Sequence, residues 1–539
     1  MSETQTVRDA TFAVLREQGI DRIFGNPGST EISFLTNLPD DVQFVLGLHE
    51  ASVVGMATGY AIATDRPAFV SLHTTAGFGN AVAALATARV NRAPLVVVVG
   101  QQERAHLALE PFLTGHLAGL AGSYPVWTNE PVLATDVPGA IRRACHEAMQ
   151  HRGPAVVVVP SDDWPTEYDP SRELVGPVRL VRAGTDPAPV VDDLVAAIEK
   201  AQRPAIVAGA GCANQAAWSG LVGLAERLGA PVWQEAFGAS AGFPQHHPNF
   251  VGHLPGGRAA LRRALGDNDL VLVVGTGALR QYVYEPGPLV PAGVAIVVVS
   301  DDSEDLHHSR ADLAVLGSPA AVCAALAERL PQRGPAPVQR VVRSVPPPET
   351  DDAFRAEHVF SALAQRLPAD AVVVEETPSS RPELHELIPA KTPRGFISAA
   401  MGGLGFALPA AAGLRMGDPT RPVVALLGDG SSLYAIQGLW SAARYGCGVL
   451  FVVLANGRYA VMDQLAANAG GKGPWPAFDE ISVAGLSRSL NCPAVEIRSY
   501  ADLLSTLDDV IPGLADRNEP LLLEVSIATD SDSTLPASG

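Results

Sequence analysis

The chain has 539 residues, too many for a single hydrophobic core, so we expect about three domains. Its net charge of −19 argues against a nucleic-acid or anionic-membrane partner, because phosphate groups would be repelled. Residues 1–20 contain no apolar leader segment, and no apolar run approaches the roughly 20 residues that cross a bilayer, so we expect a cytoplasmic protein. Five dispersed cysteines form no CxxC pair and are predicted to be buried thiols in a reducing compartment.

The first predicted domain covers residues 1–180 and alternates helices with strands. An amphipathic helix at 6–18 ends at Gly19 and is followed by the strand DRIFG and the turn GNPGSTE. The turn places Ser29 at a strand-to-helix junction. At such a junction the side chain can either contact a ligand or simply cap the helix.

Two titratable residues of this domain also lie where a strand passes into a helix. Glu50 precedes ASVVGMATGYAIA, which is apolar or small on nearly every side and is therefore predicted to be a buried helix. A carboxylate at the start of a buried helix needs a partner, which favours a functional role over a solvated first-turn residue. His73 ends the strand FVSLH, so it is also predicted at the carboxyl end of a strand.

The second predicted domain, 181–340, has the strands RPAIVAGAG, APVWQEA, LVLVVGTG and AIVVVSDD between Ala- and Leu-rich helices. This alternation indicates another open parallel sheet. Its glycine turns do not complete the GxGxxG unit with an acidic residue about 20 positions later, so we expect neither FAD nor NAD. The Pro-rich segment 332–352 is predicted to be a linker to the third domain.

The third predicted domain, 341–539, contains RPVVALLGDGSSLYAIQGLWSAARYGCGVLFVVLANGRY at 421–459. This segment is predicted to be strand, Gly-Asp-Gly turn, helix over 431–444, strand and a second turn. Both turns then lie at the carboxyl ends of neighbouring strands, so Asp429 and Asn456, 27 positions apart (456 minus 429), would face each other. Their oxygens suit Mg²⁺ or Ca²⁺, and the helix N–H groups suit phosphate, although Gly-Asp-Gly alone can be a plain turn. The spacing therefore predicts a metal-bridged diphosphate.

The first and third domains look like copies of one βαβ design. Shifting the sequence by 355 positions (421 minus 66) aligns residues 66–100 with 421–455 without a gap. His73 then aligns with Gly428. One copy would therefore have a titratable side chain where the other has the diphosphate turn.

The Gly-Asp-Gly turn, followed after 27 positions by an asparagine at a strand end, resembles the cofactor-anchoring motif of thiamine-diphosphate-dependent enzymes. The segments GNPGSTE, GLHEASVVGMATGYA and LHTTAGFGNA look most like benzoylformate decarboxylase and its relatives among the 2-keto acid decarboxylases. The resemblance implies a pyrimidine-binding domain and a diphosphate-binding domain that flank a Rossmann-like central domain. It implies thiamine diphosphate and Mg²⁺ or Ca²⁺ as cofactors. It also implies a homodimer at least, with a homotetramer favoured, because cofactor and activating glutamate come from different subunits.

The resemblance also implies roles for individual residues. Glu50 matches the glutamate that activates the aminopyrimidine ring, while Ser29 and His73 match residues that hold the substrate and relay protons. Leu404 matches the apolar residue that props the cofactor. The metal ligands would be Asp429, Asn456 and the main-chain carbonyl of Arg458. The other cofactor-binding residues would be Ser379, Ser380, Gly402, Gly428, Gly430, Ser431 and Tyr459.

The sequence departs from the family pattern at the second catalytic histidine, where it has Tyr282 in the run RQYVYEPG. A tyrosine hydroxyl can hydrogen-bond an alkoxide but exchanges protons poorly at neutral pH. Two aromatic positions of the pocket wall are also replaced, by Ser398 and Leu465.

Three functions remain open on this basis. The leading expectation is non-oxidative decarboxylation of a 2-keto acid, benzoylformate-like or branched, to an aldehyde and carbon dioxide. The alternative is a carboligase or lyase that acts on acyloins or 2-hydroxyacyl thioesters, which the missing histidine favours. Least favoured is a cofactor-binding subunit without activity, because Ser29, Glu50, His73 and the metal pair are all present.

Overall fold

The computed structural model describes residues 5–169, 171, 174, 176–180, 187–334, 343–351 and 354–528. In this part of the chain the strands form three six-stranded sheets, and neighbouring strands run parallel. The predicted fold class, with three open parallel α/β sheets, is confirmed. The exact boundaries at 180 and 340 remain predictions. The predicted linker at 332–352 lies partly outside the described residues, at 335–342 and 352.

The N-terminal domain consists of α1 (Val7–Glu17), β1 (Arg22–Asn26), α2 (Ile32–Leu35), β2 (Gln43–Leu46), α3 (Glu50–Thr64), β3 (Ala68–Leu72), α4 (Thr74–Val90), β4 (Leu95–Gln101), α5 (Arg104–Leu107), β5 (Trp127–Asn129), α6 (Val137–His151) and β6 (Pro154–Pro160). Its strand order is β2-β1-β3-β4-β6-β5. Along β4, Val97 and Val99 pack into a core with α3 and α4, whereas Val96 and Val98 pack into a second core with α1 and α6. The sheet is covered on both faces, which is why its strands are continuous apolar runs.

The central domain consists of α7 (Ala188–Lys200), β7 (Pro204–Ala208), α8 (Gln215–Leu228), β8 (Val232–Gln234), β9 (Phe250–His253), α9 (Arg258–Leu265), β10 (Leu270–Val274), β11 (Ala295–Ser300), α10 (Ser303–His307), β12 (Leu313–Leu316) and α11 (Pro319–Arg329). The strand order β9-β8-β7-β10-β11-β12 is the 3-2-1-4-5-6 order of a Rossmann sheet, as predicted. Strands β9 and β12 were not predicted, because each is an edge strand of only four residues.

The C-terminal domain consists of α12 (Ala356–Ala364), β13 (Val372–Glu376), α13 (Arg381–Leu387), β14 (Phe396–Ser398), α14 (Ala407–Gly417), β15 (Val423–Gly428), α15 (Asp429–Ser432), α16 (Gly438–Arg444), β16 (Val449–Ala455), α17 (Ala460–Asn468), α18 (Val483–Ser489), β17 (Ala494–Ile497), α19 (Tyr500–Val510) and β18 (Leu521–Ser526). The strand order is β14-β13-β15-β16-β18-β17. When strands are counted within each domain, this is the same 2-1-3-4-6-5 order as in the N-terminal sheet. The predicted repeat is therefore confirmed at the level of topology.

The helix predicted over 431–444 is not continuous. It is divided into α15 and α16 by a 3-10 turn at 433–435. In the aligned N-terminal copy, α4 runs unbroken from Thr74 to Val90. Just before the break, the Ser432 hydroxyl donates to the Asp429 carbonyl at 2.6 Å and so competes with the helical backbone hydrogen bonds.

The first and third domains pack against each other through α3 and α14. A Cβ atom built at Gly59 would lie 2.0 Å from the carbonyl oxygen of Ala410, so only glycine lets the two backbones touch. Further along both helices, a Cβ atom at Gly417 would lie 2.7 Å from Ala63. Later residues of α3 therefore contact later residues of α14, which means that the two helices run parallel.

The five cysteines are buried and free, as predicted. Burial raises the pKa of the Cys145, Cys323 and Cys447 thiols to about 12, so these thiols are not nucleophiles at neutral pH. None of the helices in the described ranges is both long and apolar enough to cross a bilayer.

Candidate active site

Glu50 begins α3 and is buried, with 7% of its surface exposed. Its Oε1 atom accepts a hydrogen bond from Asn26 Nδ2 at 3.0 Å, and its Oε2 atom accepts one from Asn80 Nδ2 at 3.1 Å. Neutral amides therefore hold both oxygens of the carboxyl group. Glu50 thus has the buried position at the start of α3 that its predicted role requires.

His73 follows β3 and is the N-cap residue of α4. Its Nδ1 atom lies 2.9 Å from Thr30 Oγ1 and 3.2 Å from Glu31 Oε2. The Thr30 hydroxyl donates its single proton to Glu31 Oε1, so both neighbours of Nδ1 are acceptors. Nδ1 therefore carries the hydrogen in neutral His73, and Nε2 is the nitrogen available for proton transfer.

Glu31 was not assigned a role from the sequence. It is buried beside His73, accepts a hydrogen bond from the Gly28 N–H at 2.7 Å, and its pKa is raised chiefly by burial. Its position three residues after Gly28 in the capping-box spacing was the available signal. That spacing indicates a helix start and cannot indicate the contact with His73, which is 42 positions away.

Glycines make room for this cluster. A Cβ atom at Gly28 would lie 2.3 Å from the His73 ring, and one at Gly100 would lie 1.9 Å from Glu31 Oε1. A Cβ atom at Gly77 would lie 3.5 Å from Glu50, on the turn of α4 that follows His73. The structure thus brings the glutamate and histidine predicted from sequence into one cluster.

Ser29 lies in the 3-10 turn Ser29–Glu31 after β1, between Gly28 and Thr30, which both lie against His73. It is exposed in the single chain. The simple capping role considered for Ser29 is wrong, because Gly28 occupies the N-cap position of this turn. Its hydroxyl is therefore available to a ligand.

The Gly-Asp-Gly turn follows β15, and the Asn456 turn follows the neighbouring strand β16. Asp429 Oδ1 accepts the Gly430 N–H at 2.7 Å, while Oδ2 accepts the N–H groups of Asn456 at 2.8 Å and Gly457 at 2.7 Å. The carboxylate therefore joins the two turns, as the predicted pairing requires. Burial raises the pKa of Asp429, and these three N–H groups oppose that shift.

The other predicted cradle residues surround this pair. Gly428 is the N-cap residue of α15, and Ser431 is buried in its first turn. A Cβ atom at Gly430 would lie 2.6 Å from the Tyr459 ring, which packs against Phe478 with 5.0 Å between ring centroids. Ser379 Oγ accepts the Val461 N–H at 3.1 Å, and the buried Ser380 is the N-cap residue of α13.

A divalent cation fits the donor set of these turns. Asp429 supplies a carboxylate with about four acceptor positions, of which three accept N–H groups, and Asn456 Oδ1 accepts the Arg458 N–H at 3.2 Å. Together with the Arg458 carbonyl, these hard oxygens suit Mg²⁺ or Ca²⁺. Among the described residues no group of three or more acidic, histidine or cysteine side chains could hold a metal. The remaining ligands would therefore have to come from a bound diphosphate and water.

Gly402 and Leu404 lie in the segment between β14 and α14. Gly402 has a φ of +75°, which favours glycine, and Leu404 is half-buried. Glu376, another residue without a role assigned from sequence, accepts N–H groups at the end of this segment. Leu404 is thus held near the start of α14.

Tyr282 is not joined to the N-terminal cluster within the single chain. It is 70% exposed, its N–H donates to Gly256 O at 3.0 Å, and its ring lies beside Phe237. Ser398 is buried and donates to Gly238 O at 3.1 Å, and Leu465 lies on α17, which has no buried residue. These three predicted positions therefore do not form a closed pocket in one subunit.

Family models match all three domains. They are described as the N-terminal TPP binding domain, the central domain and the C-terminal TPP binding domain of thiamine pyrophosphate enzymes, at residues 5–120, 191–326 and 379–525. The chain belongs to the family of thiamine-diphosphate-dependent enzymes. The predicted family is confirmed.

Individual members of the family are similar over three quarters or more of their length. Benzoylformate decarboxylase of Pseudomonas aeruginosa is 35% identical over 97% of this chain and 99% of its own. The structure of the thiamine diphosphate-dependent 4-hydroxybenzoylformate decarboxylase of Rhodococcus jostii has a TM-score of 0.92 at 32% identity, covering 98% of this chain and 100% of its own. The acetolactate synthase large subunit of Parasynechococcus marenigrum is 29% identical over 83% of this chain and 75% of its own.

Proposed function

We propose that the protein catalyses the thiamine-diphosphate-dependent decarboxylation of a 2-keto acid, benzoylformate-like or branched, to an aldehyde and carbon dioxide. The observation that supports this most directly is that Glu50 and His73 lie in one cluster of the N-terminal domain. In this cluster Nε2 of His73 is the nitrogen available for proton transfer. The similarity to benzoylformate decarboxylase supports the same reaction.

Each residue has a task that its surroundings allow. The cofactor, when bound, supplies an electron sink for the charge left as carbon dioxide departs. Glu50 would exchange a proton with the aminopyrimidine ring, since its carboxyl group is buried and held by neutral amides. His73 would move a proton at Nε2, because Nδ1 is directed to Glu31 and Thr30. Ser29 would donate a hydrogen bond to the substrate carboxylate.

The cofactor would be thiamine diphosphate with Mg²⁺ or Ca²⁺. Asp429, Asn456 and the Arg458 carbonyl would hold the metal, as their oxygens suit a hard cation. Gly402 and Leu404 would support the rings of the cofactor. The diphosphate would be surrounded by Ser379, Ser380, Gly428, Gly430, Ser431 and Tyr459.

The active assembly would be a homodimer at least, with a homotetramer favoured. Apolar side chains that a single chain leaves uncovered support this, among them Leu109 at 75% and Phe112 at 87% exposure in the N-terminal domain. Helix α17 has apolar residues but none of them is buried. Light scattering of the purified protein tests the assembly, and a monomer would contradict it.

The second candidate function is a carboligase or lyase on the same cofactor. Tyr282 in place of a histidine favours it, because protonation after decarboxylation would then be slow. The similarity to an acetolactate synthase favours it as well.

One experiment separates the two candidates. The protein with thiamine diphosphate and Mg²⁺ is supplied with aromatic, branched and linear 2-keto acids one at a time, and both aldehyde and carbon dioxide are measured. A decarboxylase gives equal amounts of both products. Carbon dioxide with acyloin in place of aldehyde would indicate a carboligase, and no carbon dioxide from any acid would contradict the proposal.

A further inference from the structure

The segment at residues 399–406, between β14 and α14, is held by side chains from all three domains. We name it the cofactor turn, because it contains Gly402 and Leu404. Asn91 of the N-terminal domain, Arg280 of the central domain and Glu376 of the C-terminal domain all bond to its backbone or to the residues that adjoin it.

Glu376 holds the C-terminal end of the turn. Its Oε1 atom accepts the Gly405 N–H at 2.6 Å, and its Oε2 atom accepts the N–H groups of Phe406 at 2.8 Å and Ala407 at 2.6 Å. These are N–H groups at the start of α14, which its own helical hydrogen bonds leave unpaired. Glu376 is only 2% exposed, so its carboxyl group and not bulk water satisfies these N–H groups.

Asn91 holds the other end of the turn from a different domain. Its Nδ2 atom donates to Ser398 O at 2.9 Å, and its Oδ1 atom accepts the Ala400 N–H at 3.0 Å. Asn91 is the C-cap residue of α4, whose N-cap residue is His73. Helix α4 therefore has a proton-relay residue at one end and a contact with the cofactor turn at the other.

The turn itself has little intrinsic preference for its conformation. Gly402 and Gly405 have φ angles of +75° and +90°, and Gly402 has no neighbour within 4 Å of a built Cβ atom. Glycine loses more conformational freedom on ordering than any other residue, so a turn rich in glycine needs external contacts to stay fixed.

We propose that Glu376 and Asn91 are positioning residues that fix the cofactor turn, from two domains, in the conformation that receives thiamine diphosphate. Leu404 can support the cofactor only if the turn around it is rigid before binding. The inference rests on the proposed role of Leu404, but not on whether the reaction is a decarboxylation or a carboligation.

The test is the dissociation constant for thiamine diphosphate at saturating Mg²⁺, measured by titration calorimetry on the full chain. Glu376→Gln keeps the shape of the side chain but turns an NH₂ group toward backbone N–H donors. We expect its dissociation constant to rise about tenfold, as losing a buried hydrogen bond commonly does. Asn91→Ala should give a similar rise. Glu376→Asp, shorter by one methylene, should lie between wild type and Glu376→Gln.

Matched controls separate positioning from general stability. Glu235, also buried, accepts the Ala210 N–H at 2.8 Å, and the buried Asn249 donates to Ala225 O and Ala230 O, all in the central domain. Glu235→Gln and Asn249→Ala should lower the melting temperature yet leave the dissociation constant within twofold of wild type.

Hydrogen exchange provides a second readout that does not depend on the cofactor. In the cofactor-free protein, the amides of Gly405 and Phe406 should exchange faster in Glu376→Gln than in wild type. Unchanged cofactor affinity in Glu376→Gln and Asn91→Ala would overturn the proposal and leave the proposed reaction untouched. Equal weakening in the Glu235→Gln control would also overturn it. A wild-type protein that does not bind thiamine diphosphate would overturn the cofactor assignment itself.

Discussion

The Nδ1 atom of His73 lies 3.2 Å from the Oε2 atom of Glu31, a carboxylate that is almost fully buried. This pair fixes the tautomer and the orientation of the imidazole. It also explains why GNPGSTE contains both a glycine and a glutamate around Ser29, since Gly28 leaves room for the ring and Glu31 binds it.

We predict that Glu31→Gln lowers kcat about a hundredfold with little change in KM, because one amide oxygen replaces the two carboxylate oxygens that accept from Gly28, Thr30 and His73, which disturbs the orientation of the imidazole. Steady-state kinetics on the preferred 2-keto acid measure this. The control is Glu147→Gln, which removes the glutamate 3.5 Å from His151 on the surface of α6 and should leave kcat unchanged. A Glu31→Gln variant with wild-type kcat would show that the pair has no part in turnover.

We predict that Gly28→Ala also lowers kcat, because the added Cβ atom would lie 2.3 Å from the His73 ring and must displace it. Gly79→Ala on α4 is the control, since a Cβ atom there meets nothing within 4 Å. Alanine stabilises a helix interior by about 1 kcal/mol over glycine, so this control should be at least as stable as wild type. Equal activity of both variants would contradict the assignment of His73.

The sequence was sufficient to predict the three parallel sheets, because strands buried on both faces are long apolar runs that are visible without a structure. It was sufficient also to predict that the turns of Asp429 and Asn456 lie side by side, because each turn follows one of two neighbouring strands of this kind. Glu31 and Glu376 were missed because their partners are distant in sequence: Glu376 bonds residues 29 to 31 positions away. The break between α15 and α16 was missed because apolar spacing continues across it.

We predict that cofactor binding depends on metal through Asp429. Wild-type protein with thiamine diphosphate and Mg²⁺ at a hundred times the dissociation constant should be stabilised by about 2.7 kcal/mol, seen as a higher melting temperature that EDTA abolishes. Asp429→Asn should lose this stabilisation, since it removes a metal ligand and leaves N–H groups of Gly430, Asn456 and Gly457 poorly paired. Glu50→Gln should retain the metal-dependent rise, and a retained rise in Asp429→Asn would place the metal elsewhere.

Glu376 predicts a pH dependence of stability. Burial raises the pKa of its carboxyl group to about 7, above the ordinary value of 4.5, so folding favours the protonated form. The stabilisation that Glu376 adds to the free energy of unfolding is complete below pH 4.5. It is lost as the pH rises through 7, by up to about 3 kcal/mol. The melting temperature of Glu376→Gln relative to that of wild type should therefore be higher at pH 8 than at pH 5. A difference that does not change with pH would contradict this.

The central claim is that turnover of a 2-keto acid requires the Glu50 carboxyl group. The most direct test is single-turnover carbon dioxide release from benzoylformate and a branched 2-keto acid by wild type and Glu50→Gln, both loaded with thiamine diphosphate and Mg²⁺. We expect prompt release by wild type and a rate at least a hundredfold lower for Glu50→Gln, with the same amount of cofactor bound. Equal release by the two proteins would contradict the account, as would the absence of release from wild type.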